Sequence, residues 1–218
     1  MTSQQPREPR EHHEHRGVVF DLGNVVIDWQ PEAAVARGVG EDEAARFLRA
    51  DDFDFSAWNH GPDSGQSWEQ ALAFVEEAYE HWIDHATAYR DHFPHSLVGE
   101  VPGTSAVMRD LDAAGVPLWA LTNWSADLFV HAPARFPVLG LFRDIVVSGR
   151  EGVAKPDPAI YHRLADRAGV PLDTLVFVDD KPANVEVAEA MGMDALLFTD
   201  AGRLRAQLLD RGLLPHPE

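Results

Sequence analysis

Cysteine is absent from the 218-residue sequence, which excludes disulfide bonds, thiolate metal sites and a cysteine nucleophile. Long apolar runs are missing as well. No stretch of about 18 or more apolar residues occurs, so we expect no membrane span. The first residues also lack the apolar core of a signal peptide. Together these absences favour a cytoplasmic protein with no membrane partner.

Positive charge is scarce, because 18 Lys and Arg residues face 36 Asp and Glu residues and the formal net charge is −18. A nucleic-acid partner is not expected, since phosphate backbones are bound by Lys- and Arg-rich surfaces. An anionic small substrate would also be repelled at long range. A site for such a substrate therefore needs a local cation or a metal ion.

The first 16 residues contain no apolar residue after Met1, so they are predicted to form a disordered tail. This tail carries His12, His13 and His15, which could hold a stray metal ion. A solvated tail is the favoured interpretation, because nothing in this stretch would fix a coordination geometry. No pattern in the sequence sets the oligomeric state.

Five short, continuous apolar runs predict strands that are covered on both faces, as in a parallel sheet. Helical patterns separate them: Thr104 can cap one helix, Asp157 with Pro158 can begin another, and a third is predicted over 184–191. This alternation predicts an α/β fold with a doubly wound, Rossmann-like parallel sheet. The predicted strands are 17–20, 117–122, 144–148, 174–178 and 194–198.

Residues 30–96 interrupt the alternation with a helical pattern and no clear strand. The best helix of this segment covers 67–82, where Ser67 and Gln70 form a capping box. One face of it is apolar, with Trp68, Leu72, Val75, Tyr79 and Trp82. We expect 30–96 to form an all-helical cap domain, inserted into a core domain made of 17–29 and 97–218. Such an insertion would cover the sheet edge where ligands bind.

Polar residues follow four of the predicted strands, and the carboxyl ends of parallel strands meet at one edge of a sheet. Each alone has an ordinary explanation, such as a helix cap, a turn or a solvated lysine. Polar residues at the ends of four successive strands favour one shared site over four separate turns. They are Asp21 after the first strand, Thr122 and Asn123 after the second, Lys155 after the third, and Asp179, Asp180 and Asn184 after the fourth.

These residue types suit phosphoryl transfer. Asp21 is a carboxylate that can attack phosphorus, and Asp180, with Asp179, could hold Mg²⁺ together with the backbone carbonyl of Gly23. Lys155 could neutralise the carboxylates and bind phosphate oxygens. The remaining phosphoryl oxygens could be bound by the Thr122 hydroxyl and the Asn123 backbone N–H. Asn184 could hold Lys155 or an aspartate in place.

The stretches "DLGNVV", "LTN", "AKPDPAIY" and "FVDDKPAN" resemble the motifs of the haloacid dehalogenase-like hydrolase superfamily, over about residues 17–212. The "DLGNV" form resembles the bacterial α-glucose-1-phosphate phosphatase group, and the later motifs resemble the phosphatase domain of soluble epoxide hydrolase. The resemblance implies that Asp21 is the nucleophile and that Lys155 stabilises it. It also implies that Thr122 and Asn123 bind the phosphoryl group, and that Asp180 binds Mg²⁺ directly, with Asp179 directly or through water.

Gly23 departs from this resemblance, because most phosphatases of the superfamily carry there a second aspartate that protonates the leaving oxygen. The absence of this aspartate slows the reaction least when the leaving group is a weak base, such as an anomeric sugar hydroxyl, an acyl group or a halide. Alternatively, His60 or Asp63 could supply the proton from a predicted loop, "WNHGPDSG". Of the nearby tryptophans, Trp124 is a candidate pocket wall, and Trp58 is better explained as core of the cap.

The leading hypothesis is a Mg²⁺-dependent phosphatase acting on a small metabolite phosphate, such as a sugar 1-phosphate. A 2-haloacid dehalogenase that uses Asp21 without metal is one alternative, which Gly23 fits. The adjacent Asp179 and Asp180 speak against it, because the pair would repel each other without a metal ion. A catalytically weak binding protein is the other alternative, supported only by the missing acid.

Overall fold

The computed structural model describes residues 17–215, so His12, His13 and His15 lie outside the described residues. Five parallel strands form the main sheet in the order β5-β4-β1-β6-β7, and two more form a small antiparallel pair, β2-β3. In chain order they are β1 (Gly17–Phe20), β2 (Ile27–Trp29), β3 (Leu97–Glu100), β4 (Leu118–Thr122), β5 (Asp144–Val147), β6 (Leu175–Asp179) and β7 (Asp194–Leu197). All five strands predicted from apolar runs are confirmed.

Helices cover both faces of this sheet, because its side chains alternate between two hydrophobic clusters. Val19, Leu121 and Phe177 pack with Ile160 and other residues of the following helices, and Phe20, Ala120 and Val178 lie in the opposite cluster. The doubly wound α/β fold is thereby confirmed. Its helices are α1 (Pro31–Val39), α2 (Glu41–Leu48), α3 (Phe55–Asp63), α4 (Trp68–Ala78), α5 (Ile83–Asp91), α6 (Thr104–Ala113), α7 (Ala126–Phe129), α8 (Ser148–Glu151), α9 (Pro158–Ala168), α10 (Pro182–Ala190) and α11 (Ala201–Asp210).

Local capping chemistry explains several helix boundaries. Asp157 accepts a hydrogen bond from the Ala159 N–H with Pro158 at the first position, and the capping box of Ser67 and Gln70 is present. The predicted Thr104 cap is wrong. Gly103, at φ 86°, precedes the helix, and the Thr104 side chain makes no capping hydrogen bond because it is itself buried in the first turn.

Two other predicted helices have different ends. Helix α10 begins at Pro182 rather than at 184, since proline suits the first helical position. Helix α4 ends at Ala78, where Tyr79 leaves helical geometry at φ −145°, and Trp82 lies in a separate 3₁₀ turn, Glu80–Trp82. Further 3₁₀ turns are Phe93–Ser96, Pro137–Leu141 and Leu172–Thr174.

Between β2 and β3 the chain is helical throughout, from α1 to the 3₁₀ turn at Phe93–Ser96. This helical segment packs around buried aromatic rings, with Phe47 and Phe53 stacked at 5.0 Å between ring centroids. Trp58 belongs to this core, as its Nε1–H donates to the Ala71 carbonyl at 2.9 Å. The division of the chain into a cap domain and a core domain stays a prediction. Within 17–215, no helix combines the length and apolar character needed to cross a membrane.

Candidate active site

The turn after β1 presents Asp21 at the centre of the sheet edge. The Asp21 N–H donates to the Val178 carbonyl at 2.8 Å, which continues the ladder to β6, and the carboxylate accepts from the Leu22 N–H at 2.7 Å. Gly23 follows in the turn, and Asn24 takes a left-handed conformation at φ 58°, which asparagine tolerates. A Cβ built on Gly23 would meet no heavy atom within 4 Å, so the position of the missing aspartate opens into free space.

Lys155 is buried at the middle of the site. Its Nζ lies 3.0 Å from Asp21 Oδ1 and 2.7 Å from Asp179 Oδ2, and donates to the Leu121 carbonyl at 2.7 Å. Burial alone would lower the lysine pKa, but the two carboxylates outweigh burial and raise the pKa of Lys155 above its usual value. The ammonium group is therefore charged, and its three donors are all directed at protein oxygens.

Asp179 is fully buried and acts as the anchor of this arrangement. Its Oδ1 accepts from the Lys181 N–H at 2.8 Å and from Asn184 Nδ2 at 2.9 Å, and the Asn184 amide also reaches Oδ2 at 3.0 Å. Of the two partners predicted for Asn184, the structure gives the aspartate. Both oxygens of Asp179 are thus occupied by protein donors.

Asp180 completes an acidic cluster, in which one carboxylate oxygen each of Asp21, Asp179 and Asp180 lies within 4.8 Å of the others. The Asp180 Oδ1 atom is buried and has no hydrogen-bond partner within the described chain. An orphaned, buried carboxylate oxygen beside two more carboxylates matches the donor set that Mg²⁺ prefers. These residues therefore fit a divalent cation.

The cluster is short of positive charge. Burial raises the pKa of Asp21 to about 7, against the attraction of Lys155 and with added repulsion from Asp179 and Asp180. Burial and the neighbouring Asp179 likewise raise the pKa of Asp180. A divalent cation would reverse both effects, because it stabilises the ionised carboxylates.

Thr122 and Asn123 end β4 next to this cluster. Thr122 is buried and lines the cavity. The Asn123 amide pairs with the Lys155 backbone, donating from Nδ2 to the Lys155 carbonyl at 2.8 Å and accepting its N–H at 2.8 Å. Asn123 therefore fixes the loop that carries Lys155. No sequence signal indicates this pairing, because the two residues are 32 positions apart.

One cavity joins the sheet edge to the helical segment. The site residues predicted at the sheet edge line its floor, including Asp21, Gly23, Asn123 and Lys155. Trp124 contributes to its wall, whereas Trp58 does not line the cavity. Several other residues that line the cavity were not indicated by any sequence pattern. These are Asn24, Trp29, Ser56, Asn59, Tyr89, Phe93, Leu128 and Lys181.

His60 and Asp63 also line this cavity, but the loop predicted for them is wrong. They lie in helix α3, which begins after Asp54, whose side chain accepts from the Ala57 N–H at 2.9 Å. The two glycines of this stretch, Gly61 and Gly65, suggested a loop. Gly61 instead lies in the last turn of the helix together with Pro62, and only Gly65 follows the helix. The His60 side chain is exposed and hydrogen-bonded with Ser64 Oγ at 3.2 Å.

The doubly wound sheet and its acidic, lysine-containing edge define an enzyme of the Rossmann-like α/β class. A family model for haloacid dehalogenase-like hydrolases matches residues 15–192. The chain therefore belongs to the haloacid dehalogenase-like hydrolase family, as its motifs indicated.

Relatives of the chain include phosphatases. A phosphoglycolate phosphatase of Cereibacter sphaeroides (strain ATCC 17029 / ATH 2.4.9) is 27% identical over 217 residues, which cover 92% of this chain and 93% of that protein. A sesquiterpene phosphatase of Aspergillus oryzae, AstK, is 33% identical over 97 residues, covering 44% of this chain and 50% of that protein. Among solved structures, the HAD family enzyme bt-2542 of Bacteroides thetaiotaomicron, a magnesium complex, shares the fold at TM-score 0.68 and 18% identity. That match covers 90% of this chain and 99% of the other.

Proposed function

We propose that this hydrolase is a Mg²⁺-dependent phosphatase that cleaves a small metabolite phosphate monoester through an aspartyl-phosphate on Asp21. The observation that carries the proposal is the buried acidic cluster with a single lysine and one orphaned oxygen, Asp180 Oδ1. The phosphatase relatives support the same reaction class. A cluster of this kind suits an anionic substrate only with added positive charge.

The chain's own groups divide the work as follows. Asp21 attacks phosphorus, and Lys155 holds the attacking carboxylate in one orientation through the 3.0 Å contact. Thr122 Oγ1 and the Asn123 N–H bind phosphoryl oxygens. Because its donors point at Asp21, Asp179 and Leu121, Lys155 acts in this arrangement through charge and positioning more than by direct phosphate contact.

The metal ligands would be Asp21, the Gly23 carbonyl and Asp180. Asp179, saturated by Lys155, Asn184 and the Lys181 N–H, would support the site directly or through water. When bound, the Mg²⁺ ion would neutralise charge on the phosphoryl oxygens and lower the barrier to attack. Asn184 contributes by holding Asp179.

The cavity walls support a neutral, hydroxyl-bearing leaving group such as that of a sugar 1-phosphate. Two of the lining atoms, Asn59 Oδ1 and Trp124 Nε1, are buried without a partner among the described residues, and hydroxyl groups could satisfy both. Lys155 and Lys181 are the lysines that line the cavity in the described part of the chain, and no arginine does. A second anionic group, like the carboxylate of phosphoglycolate, would thus find little positive charge near the wall.

The test compares wild type with Asp21→Asn on p-nitrophenyl phosphate, a sugar 1-phosphate and phosphoglycolate, each with Mg²⁺ and with EDTA. We expect Asp21→Asn to lose several orders of magnitude in kcat, as removal of a nucleophile does, and EDTA to abolish turnover. The sugar 1-phosphate should have a higher kcat/KM than phosphoglycolate. Activity unchanged by EDTA would contradict the metal-dependent reaction, and chloride release from 2-chloropropionate in EDTA would point to the dehalogenase.

A further inference from the structure

The core of the site lacks a proton donor for the leaving group. Gly23 has no side chain, and its surroundings are open, with no heavy atom within 4 Å of a built Cβ. The carboxylates that line the cavity from the core are Asp21 and Asp180. Since the proposed reaction uses Asp21 as nucleophile and Asp180 as metal ligand, a donor has to come from elsewhere.

Asp63 reaches the same cavity from the last turn of helix α3. Its Oδ2 accepts from Asn59 Nδ2 at 3.0 Å, and its carboxylate is also hydrogen-bonded by the Ser125 backbone N–H. The Asp63 carbonyl accepts from Ser148 Oγ at 2.5 Å. Asp63 is therefore hydrogen-bonded both within the helical segment and to the loops of the core. The Ser125 N–H contact fixes its carboxyl group near the end of β4, where Thr122 and Asn123 lie.

The environment of Asp63 favours the protonated carboxyl group up to about neutral pH. Its pKa is raised to about 7, chiefly by burial and also by the charge of Asp21, against the Ser125 N–H hydrogen bond and the charge of Lys181. The other titratable groups that face it are Tyr89, whose own pKa is raised by burial and by Asp63, and His60 on the same helix. A general acid is most effective when its pKa lies near the working pH.

The other titratable side chains of the cavity suit the role less well. Lys155 has its three donors committed to protein oxygens. His60 is exposed and hydrogen-bonded with Ser64. Tyr89 holds its proton too tightly, because burial raises its pKa well above the usual value. Asp63 is the one carboxyl that the helical segment contributes to the cavity within residues 17–215.

We propose that Asp63 is the catalytic residue that protonates the leaving oxygen, in place of the aspartate missing at Gly23. The proposal rests on the phosphatase function proposed above. As the Asp21–phosphorus bond forms and the bond from phosphorus to the leaving oxygen breaks, the Asp63 proton passes to that oxygen and a neutral alcohol departs. The Asp63 carboxylate then takes a proton from the water that attacks the aspartyl-phosphate, which releases phosphate and restores both carboxyl groups.

Asp63→Asn tests this role through its dependence on the leaving group. An alkyl phosphate needs protonation, whereas p-nitrophenolate is a weak base and leaves without it. We expect kcat/KM on the alkyl phosphate to fall about 10²- to 10⁴-fold and kcat/KM on p-nitrophenyl phosphate to change less than about tenfold. The comparison uses kcat/KM because it covers the steps up to formation of the aspartyl-phosphate and leaves out the later hydrolysis, which both substrates share. Ser64→Ala, at the neighbouring position outside the cavity lining, is the matched control and should leave the ratio of the two rates unchanged.

A second variant separates proton donation from folding. Gly23→Asp in the Asp63→Asn background places a carboxyl in the open space at Gly23, and we expect it to restore kcat/KM selectively on the alkyl phosphate. In wild type, kcat/KM on the alkyl substrate should decline as pH rises through about 7, and this limb should vanish in Asp63→Asn. If the double variant recovers no activity, or recovers it equally on both substrates, the proposed role of Asp63 as proton donor is contradicted.

The two proposals fail separately. If Asp21→Asn or EDTA leaves turnover unchanged, the aspartyl-phosphate phosphatase is wrong. If both abolish turnover, but Asp63→Asn lowers kcat/KM equally on the alkyl and aryl substrates or lowers neither, only the role of Asp63 is overturned.

Discussion

At the scale of single residues, the site depends on one buried cation. Lys155 lies between Asp21 and Asp179, at 3.0 and 2.7 Å, and its side chain is 1% exposed. Charges are tolerated in the protein interior only when each has a partner, because desolvation of an unpaired charge is expensive. Lys155 is thus a structural requirement of the two aspartates, in addition to the role proposed for it in the reaction.

Lys155→Met should therefore destabilise the protein by about 3–5 kcal/mol, since it leaves two buried carboxylates without their counter-charge. Urea unfolding at pH 8 measures the change, and added Mg²⁺ should recover part of it by supplying charge. Lys181→Met is the matched control: it replaces the chain's only other lysine, which is exposed, and should change the unfolding free energy by less than about 0.5 kcal/mol. Equal losses in the two variants would contradict this interpretation of Lys155.

At the scale of elements, the short helix α8 connects the core to the helical segment. Ser148 Oγ accepts from the Trp124 N–H at 2.9 Å and donates to the Asp63 carbonyl, and the Gly149 N–H donates to the Trp124 carbonyl at 3.1 Å. A Cβ on Gly149 would lie 2.5 Å from the Ala126 nitrogen and 2.8 Å from the Trp124 oxygen. Only glycine allows this close approach, which sets the position of Trp124 in the cavity wall.

Gly149→Ala should destabilise the protein by about 1–3 kcal/mol, as overpacking against backbone does, and should lower kcat/KM by displacing Trp124. Thermal unfolding and steady-state kinetics measure the two effects. Gly140→Ala is the matched control, because a Cβ at Gly140 would meet nothing within 4 Å. A stable, fully active Gly149→Ala variant would show that this contact does not position the cavity wall.

At the scale of the whole molecule, a net charge of −18 surrounds the site proposed for a phosphate monoester. The field of the chain would repel such an anion, so the proposed reaction needs Lys155 and a bound cation to reverse that field locally. The same excess of carboxylates makes stability depend on pH. Groups whose pKa is raised in the folded state bind more protons than in the unfolded state, so their stabilising contribution is lost as pH rises.

For Asp63 the folded pKa of about 7 exceeds the ordinary 3.8. Its contribution is therefore complete below pH 4 and disappears as pH rises to about 7. We expect the unfolding free energy of wild type, measured in urea without Mg²⁺, to fall more steeply over this window than that of Asp63→Asn. Asp112→Asn removes the same charge from an exposed position and should keep the wild-type slope. Identical slopes in wild type and Asp63→Asn would contradict the raised pKa.

Local chemistry made much of the molecule predictable. The main strands were found because each is a continuous apolar run buried on both faces, and the capping box at Ser67 and the cap at Asp157 are set by residues a few positions apart. The order of polar residues at strand ends placed Asp21, Lys155 and Asp180 in one site, since parallel strands end at a common edge. The sequence by itself therefore determined the fold class, the family and the reactive core.

Tertiary structure decided what depends on distant neighbours. The strands β2 and β3 pair across the helical segment, and neither has the continuous apolar run by which the strands of the main sheet were recognised. Helix α3 continues through Gly61 and Pro62 because packing overrides their local preference for a loop. The pairing of Asn123 with Lys155 and the raised pKa of Asp63 also arise only in the folded chain. Burial and the charges of residues far apart in sequence set these properties, and no local pattern records them.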